Sequence, residues 1–348
     1  MNIAIVMPAL ISTGPRRAAL RLYKGLKLEG YEVDLVKIQG NASRRLYEDI
    51  KAAKNLQSFD VVIYMGSNLW LNPLFIESKK GLFVHGFVWD EFLEAIKQHS
   101  IGGMVGRLSL LSYWKAFNFS KIFDFFIFHS RTAHERNGIP SDYVILPQFI
   151  LPDDLQLYSA LKSSHISNGA VRIVTYTSFV STPRILGMKE LVSLAKKLIR
   201  LSHRKIEFII INPIDMDYSF LNHFKSTDDS TIKILPSMPR EEFLKLMSSS
   251  DLYVERCLDE ELGYVSIEAG LMGVPIAKVT LPEYFDRQDY NDKEVILARS
   301  LGESSAKIAE YVENIDLYKR QYTARMQDFL MTKRSWDNVK TSLLSRLR

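Results

Sequence analysis

Cysteine is nearly missing from this 348-residue chain. Cys257 stands alone, so no intramolecular disulfide can form, which suits a reducing compartment. No run of about 18 apolar residues occurs, so no membrane-spanning helix is expected. The opening MNIAIVMPAL lacks a charged n-region and a long apolar core. It reads as a first strand rather than a signal peptide, and a cytoplasmic location is expected. A phosphate-loop signature and a Gly-x-Gly-x-x-Gly fingerprint are both absent, which argues against kinases and dehydrogenases. There is no Asp-x-Asp at a strand end, no cysteine pair and no His-x3-His. Asp215-Met216-Asp217 follows a strand, but without phosphate-loop context. No metal site and no bound cofactor are expected.

Charge of one sign is also scarce. Lys plus Arg number 45 and Asp plus Glu 40, a formal net charge of +5. That permits an anionic ligand or an acidic membrane surface without demanding nucleic acid, and no nucleic-acid partner is expected. A hydrophobic content of 47% with 24% charged residues is enough for a folded core and argues against disorder. The length suits two domains.

What is present is a repeated strand–helix rhythm. NIAIVMP (2–8), EVDLVKI (32–38), DVVIYMG (60–66), GLFVHGF (81–87), FDFFIFHS (123–130) and YVILPQF (143–149) are short apolar strands. Helical spacing fills 15–30, closed by Gly30, and 44–56. Residues 152–170 are polar and rich in Ser, Asp and Asn, and are expected to be a linker. The rhythm then restarts: strands at 171–178, 206–212, 231–237, 251–256 and 275–279, with helices at 187–202, 239–250 and 262–273. The segment from Ser304 onward reads as helical throughout, long enough to pass back over the first domain. The expected fold is α/β: two Rossmann-like, doubly wound domains facing across a cleft. The expected boundaries are 1–155, joined by a C-terminal helix at about 325–348, and 171–324.

The stretch DEELGYVSIEAGLMGVPIA (259–277) carries the chemistry. Gly263 is expected at a helix start, where unpaired backbone amides and the macrodipole favour an anion such as diphosphate. Glu260 lies just outside that start and Glu268 about a turn and a half inside. Carboxylates accept hydrogen bonds and donate none, so the pair suits sugar hydroxyls better than phosphate. Ala269, Gly270 and Gly273 are small enough to let the helix approach the sheet.

SSSDLYVERCLDEELGYVSIEAGLMGVPIAKV resembles the Glu-x7-Glu region of retaining glycosyltransferases of family four, with the GT-B fold. Asp251, Glu260, Gly263, Glu268, Ala269, Gly273 and Pro275 match in register. The resemblance implies a nucleotide-sugar site. Glu268 would hold the ribose hydroxyls and Glu260 the donor sugar. The amides around Gly263 and Tyr264 would hold the β-phosphate, and the Ser237–Met238 backbone would touch the nucleobase. His85 matches a family histidine beside the transferred sugar. RSWDNV (334–339) resembles the family's terminal Phe-Ser-Trp-x-x-Val.

The chain departs from the family in two places. The N-terminal loop retains only Gly14 of a Gly-Gly pattern, followed by Pro15, and is weighed as a donor or acceptor contact against a plain turn. Thr177-Ser178 stands where Gly-Arg is expected. Arg184 stands at about the place of the family lysine, so a second cation against the diphosphate would come from Arg172, Lys189, elsewhere or nowhere. Ser130 reads as a helix N-cap. The aromatic segment 101–123 is either a core helix or an interfacial one meeting lipid headgroups.

The expected function is metal-independent, retaining transfer of a hexose from a UDP- or GDP-sugar to a glycan, lipid-linked or protein hydroxyl. His85, Glu260 and Arg184 are the expected catalytic residues. The alternative is a degenerate sugar-nucleotide or glycan binding protein on the same fold, with a GT-B epimerase as a third reading.

Overall fold

The computed structural model describes residues 1–8, 13–38, 42–66, 72–84, 122–138, 142–161, 169–177, 186–211, 231–258 and 260–348. They divide into two compact units, Met1–Leu151 with Ser335–Arg348, and Pro152–Arg334. Each unit is built on one six-stranded parallel sheet.

In the first unit β1 (Asn2–Pro8), α1 (Thr13–Leu28), β2 (Glu32–Ile38), α2 (Ala42–Leu56) and β3 (Val61–Met65) follow in turn. Next come β4 (Lys79–Val84), β5 (Phe125–Phe128), α3 (Arg131–Asn137) and β6 (Tyr143–Ile145). The sheet order is β2-β1-β3-β4-β5-β6. Strands β3 and β5 are buried at every residue, as unbroken apolar runs in a parallel sheet should be.

Gly81 of β4 pairs with Phe125 of β5. A Cβ at Gly81 would lie 2.4 Å from Phe125 Cζ, so this strand pair closes only because position 81 has no side chain. Gly81→Ala is therefore expected to cost about 2–3 kcal/mol, the upper part of the overpacking range. In a urea-unfolding cycle Phe125→Leu should restore part of that loss. Strict additivity of the two changes would refute the clash.

The last helix returns to this unit. α10 (Trp336–Leu347) places the Trp336 ring 4.8 Å from that of Phe149, and its indole N–H donates to Glu29 at 3.0 Å. The backbone also joins here, with the Trp336 N–H donating to the Ile150 carbonyl at 2.9 Å.

The second unit contains α4 (Pro152–Ala160), β7 (Ala170–Tyr176), α5 (Met188–Leu201), β8 (Lys205–Ile211), β9 (Ile232–Leu235) and α6 (Arg240–Ser248). It continues with β10 (Leu252–Glu255), α7 (Tyr264–Leu271), β11 (Ile276–Val279), β12 (Ile296–Ala298), α8 (Leu301–Glu313) and α9 (Ile315–Lys333). The core forms where Met188, Leu191, Leu194, Ala195 and Leu198 of α5, spaced as one helical face, meet Ile173, Phe208 and Val254 of the sheet.

Several expectations change. Residues 152–160 are helix, not linker. Pro152 opens α4, Asp153 and Asp154 suit its first turn, and Tyr158 is buried. Gly14 lies in the first turn of α1 rather than in a loop before it, with Pro15 beside it where a missing N–H costs nothing. The C-terminal segment is three helices, broken at Asn314 and at Arg334–Ser335. Ser130 caps α3 as expected, its hydroxyl accepting from Ala133 N at 3.1 Å. His85, Arg184, residues 215–217 and residues 101–121 lie outside the described residues. Ile122 and Phe123 are buried in the first unit's core. Among the described residues no helix is long and apolar enough to cross a membrane.

Candidate active site

The second sheet runs β12-β11-β10-β7-β8-β9. From β7 the chain moves outward through β8 and β9, then returns to lay β10 against the opposite side of β7. Strand order reverses between β7 and β10, and open α/β sheets bind ligands outside the carboxyl ends of their strands at such a point. Tyr176 ends β7 there, and Glu255 ends β10.

Glu255 is 1% exposed and was not singled out by the sequence. One of its oxygens accepts from the Arg256 and Cys257 amides at 2.8 and 3.1 Å. The other accepts from the Gly263 amide at 3.0 Å and from the Ser266 hydroxyl. One carboxylate thus ties the end of β10 to the start of α7, where negative charge complements the helix dipole.

α7 begins after Gly263 as an N-cap in extended backbone, and all its residues are buried. It ends in a Schellman turn. Gly273 has φ +80°, and the Gly273 and Val274 amides donate to the Gly270 and Ala269 carbonyls at 3.0 and 2.9 Å. Gly270 faces Met326 and Leu330 of α9, so the small residues of α7 admit a helix as well as the sheet.

Glu260 sits in the loop before α7 and is 6% exposed. Two side chains hold that loop. Tyr290 donates to the Glu260 carbonyl at 3.0 Å, and Lys278 donates to the Glu261 carbonyl at 2.5 Å. Lys278 is fully buried and pairs in register with Glu255 across β10 and β11. A charged residue in an otherwise apolar strand was the available signal for it.

Glu268, 2% exposed, receives the Tyr158 hydroxyl at 2.9 Å on Oε1, and Arg240 of α6 makes an ion pair with the same oxygen. The segment expected to be a linker therefore delivers a side chain to the candidate site. Ser237 is exposed and Met238 half-buried in the turn between β9 and α6, three and two residues before Arg240. The structure thus brings Ser237, Met238, Glu260, Gly263, Tyr264 and Glu268 into one unit, and Gly14 stands in the other.

No protein-family model matches the chain, and no curated protein matches it. Solved structures do match over nearly the whole length. A glycosyltransferase from Rickettsia africae ESF-5 superposes with a TM-score of 0.67 at 16% identity, covering 99% of this chain and 97% of that one. HepE from Anabaena, in complex with UDP and glucose, gives 0.66 at 11% identity, covering 99% and 98%. The sucrose-phosphate synthase of Thermosynechococcus elongatus gives 0.67 at 12%, covering 99% and 97%.

The fold is GT-B.

Two details of this GT-B chain differ from the sequence expectation. The Gly263 amide, expected to face phosphate, donates to Glu255 instead. The reason is local: Glu255 ends its strand beside the helix start and fills it with its own anion. Arg172, weighed as a cation against diphosphate, is occupied near the amino end of β7. Its guanidinium donates to Glu207 at 2.7 Å and to Ser249 at 3.0 Å. Lys189, on the first turn of α5, is exposed. Among the described residues no group of three or more His, Cys, Asp or Glu side chains is placed to hold a metal ion.

Proposed function

We propose that this chain transfers a hexose from a nucleoside diphosphate sugar to an acceptor hydroxyl, with retention and without a metal. The observation that carries this reading is the buried pair Glu260 and Glu268, which flank the start of α7 beside the strand-order reversal. A buried carboxylate at such a place accepts hydrogen bonds from vicinal hydroxyls with charge assistance. Glu268 holds the ribose and Glu260 the sugar, with the Ser237–Met238 turn against the base. The amides of α7 beyond Gly263, including that of Tyr264, face the diphosphate with the dipole's positive end.

The chemistry then needs no protein nucleophile. The glycosidic C–O bond to diphosphate breaks, the acceptor oxygen bonds the anomeric carbon on the same face, and the acceptor proton passes to the departing phosphate oxygen. His85 and Arg184 are proposed beside the sugar and the diphosphate, and Gly14 near the donor or acceptor. HepE, crystallised with UDP and with UDP-glucose, is a GT-B neighbour whose ligands fit this assignment. A UDP- or GDP-sugar is the donor. A glycan, a lipid-linked sugar or a protein is the acceptor, in a cytoplasmic setting, with segment 101–121, short of the core residues Ile122 and Phe123, as the proposed membrane contact.

One observation favours a second reading, binding without turnover: Glu255 already occupies the Gly263 amide. Both readings meet the same experiment. Thermal unfolding is followed against UDP, GDP, ADP and their sugars, and nucleotide release is then measured for each donor that stabilises the protein. A ligand present at about 100 times its Kd should add about 2.7 kcal/mol. Stabilisation with turnover supports transfer, and stabilisation with no release under any acceptor supports the second reading. No response to any nucleotide overturns both.

A further inference from the structure

Among the described residues the Arg256 guanidinium makes no ion pair, and the adjacent acid, Glu255, spends its oxygens on backbone amides and the Ser266 hydroxyl. Arg256 follows β10 at the strand-order reversal, and its guanidinium lies over the ring of Tyr176, the last residue of β7, at 4.4 Å from the centroid. The side chain therefore spans the gap between the two strands where the sheet changes direction. Its Nε is buried and has no hydrogen-bond partner among the described residues.

Buried arginine nitrogens are normally satisfied, and a guanidinium stacked on an aromatic face keeps its in-plane donors available for a planar or tetrahedral anion. Here the surroundings fix the residue in place. The Arg256 amide and the Gly263 amide share the Glu255 carboxylate, which fixes Arg256 beside the start of α7. The Arg256 carbonyl accepts from the Leu186 amide at 2.8 Å, which fixes it beside the start of α5. The segments that lead into α5 and α7 are thus both tied beside the residue, the first through the Arg256 carbonyl and the second through Glu255.

A second buried donor stands alongside. The Tyr253 hydroxyl is fully buried and has no hydrogen-bond partner among the described residues. Burial, with Glu255 adding to it, raises its pKa well above the ordinary tyrosine range, so it stays neutral and adds no negative charge of its own. Tyr176 in turn meets Phe243 edge-on at 6.5 Å, and Arg240 lies 5.4 Å above the Phe243 ring while paired with Glu268. A continuous run of rings and guanidinium groups therefore joins Arg256 to the acid assigned to ribose.

We infer that Arg256 is an anion-binding residue of this site, its guanidinium receiving a phosphate oxygen of the nucleoside diphosphate from its seat on Tyr176. This rests on the nucleotide-sugar reading, and it supplies the side-chain cation that Thr177-Ser178 does not. The site's charge then comes from the strand after the reversal, β10, rather than from the loop after β7.

The test is calorimetric titration of the full chain and its Arg256→Gln and Arg256→Lys variants. The probes are inorganic pyrophosphate, UDP, GDP and ADP, and the matching nucleosides. Losing a charge-assisted bond should weaken diphosphate and pyrophosphate binding by roughly tenfold or more in Arg256→Gln, with nucleoside affinity unchanged. Arg256→Lys should recover part of the loss. Equal diphosphate affinity in wild type and Arg256→Gln overturns the assignment, as does a parallel loss of nucleoside affinity. If Arg256→Gln does not fold, Arg256→Lys decides: a loss of roughly threefold or more confined to phosphate-bearing probes supports the assignment, and parity overturns it. Pyrophosphate binding that depends on Arg256, without any nucleotide binding, would retain the anion site and reject the nucleotide. Binding of no probe to wild type overturns the anion site as well.

Discussion

Glu255→Ala is expected to destabilise the second unit by about 3–5 kcal/mol, the scale on which breaking a buried, charge-assisted cluster costs. The carboxylate gathers three amides and one hydroxyl from two elements 11 residues apart in sequence, Glu255 to Ser266. Alanine leaves the amides of Arg256, Cys257 and Gly263 facing a small cavity, and removes the negative charge from the start of α7. Glu255→Gln should cost nearly as much, because its amide nitrogen turns a donor toward donors. Ser266→Ala, which deletes one of the four bonds, should cost about 1 kcal/mol. Urea unfolding with a probe in each unit separates the two transitions, since a two-unit chain need not unfold in one step. A loss below about 1 kcal/mol in Glu255→Ala would show that water replaces the carboxylate without penalty, and the proposed tie between β10 and α7 would fail.

The second large effect falls on donor use. Glu268→Ala is expected to lower kcat/KM for nucleotide release by roughly 10²–10⁴. That is the loss of two hydroxyl bonds to a charged acceptor at about 1.5–3 kcal/mol each. The loss should appear for every donor sharing the same nucleotide, because ribose is common to them. Removal of the carboxylate also takes the ion-pair partner from Arg240 and an acceptor from the Tyr158 hydroxyl. Arg240 is about one-third exposed, so solvent recovers part of its charge, and a stability loss of about 1–3 kcal/mol is expected. The kinetic and stability losses are read separately by assaying well below the melting temperature. A folded Glu268→Ala protein that keeps more than about a third of wild-type release would remove ribose from this residue.

Much of this was legible in the amino acids. Unbroken apolar runs such as FFIF and DVVIYM allow only a strand buried on both faces, and both sheets are parallel as that implies. The Glu-x7-Glu stretch announced a helix start at Gly263 and its end at Gly273, because glycine is the residue that reverses a helix in left-handed backbone. Legibility failed where three-dimensional partners decide. The polar run 152–160 has the composition of a linker, yet it is helical because Pro152 starts it and the buried Tyr158 anchors it. Nothing local in VERC distinguishes Glu255 from a solvated acid. Its role appears only when the strand end meets a helix start eight residues later, at Gly263. Arg172 shows the converse. Its charge was visible, but not that it faces Glu207 near the opposite end of the sheet.

The seat of Trp336 on Phe149 has a bearing on how the protein is made. Strand and helix positions 1–151 emerge first, but the piece that completes their hydrophobic unit, Ser335–Arg348, is synthesised only after every residue of Pro152–Arg334. The later-named unit is one uninterrupted stretch and needs no later segment to complete it. The earlier one must wait with an uncovered aromatic surface, so a stalled or shortened product would leave the first-made half of the molecule, not the last-made, as the part prone to aggregate.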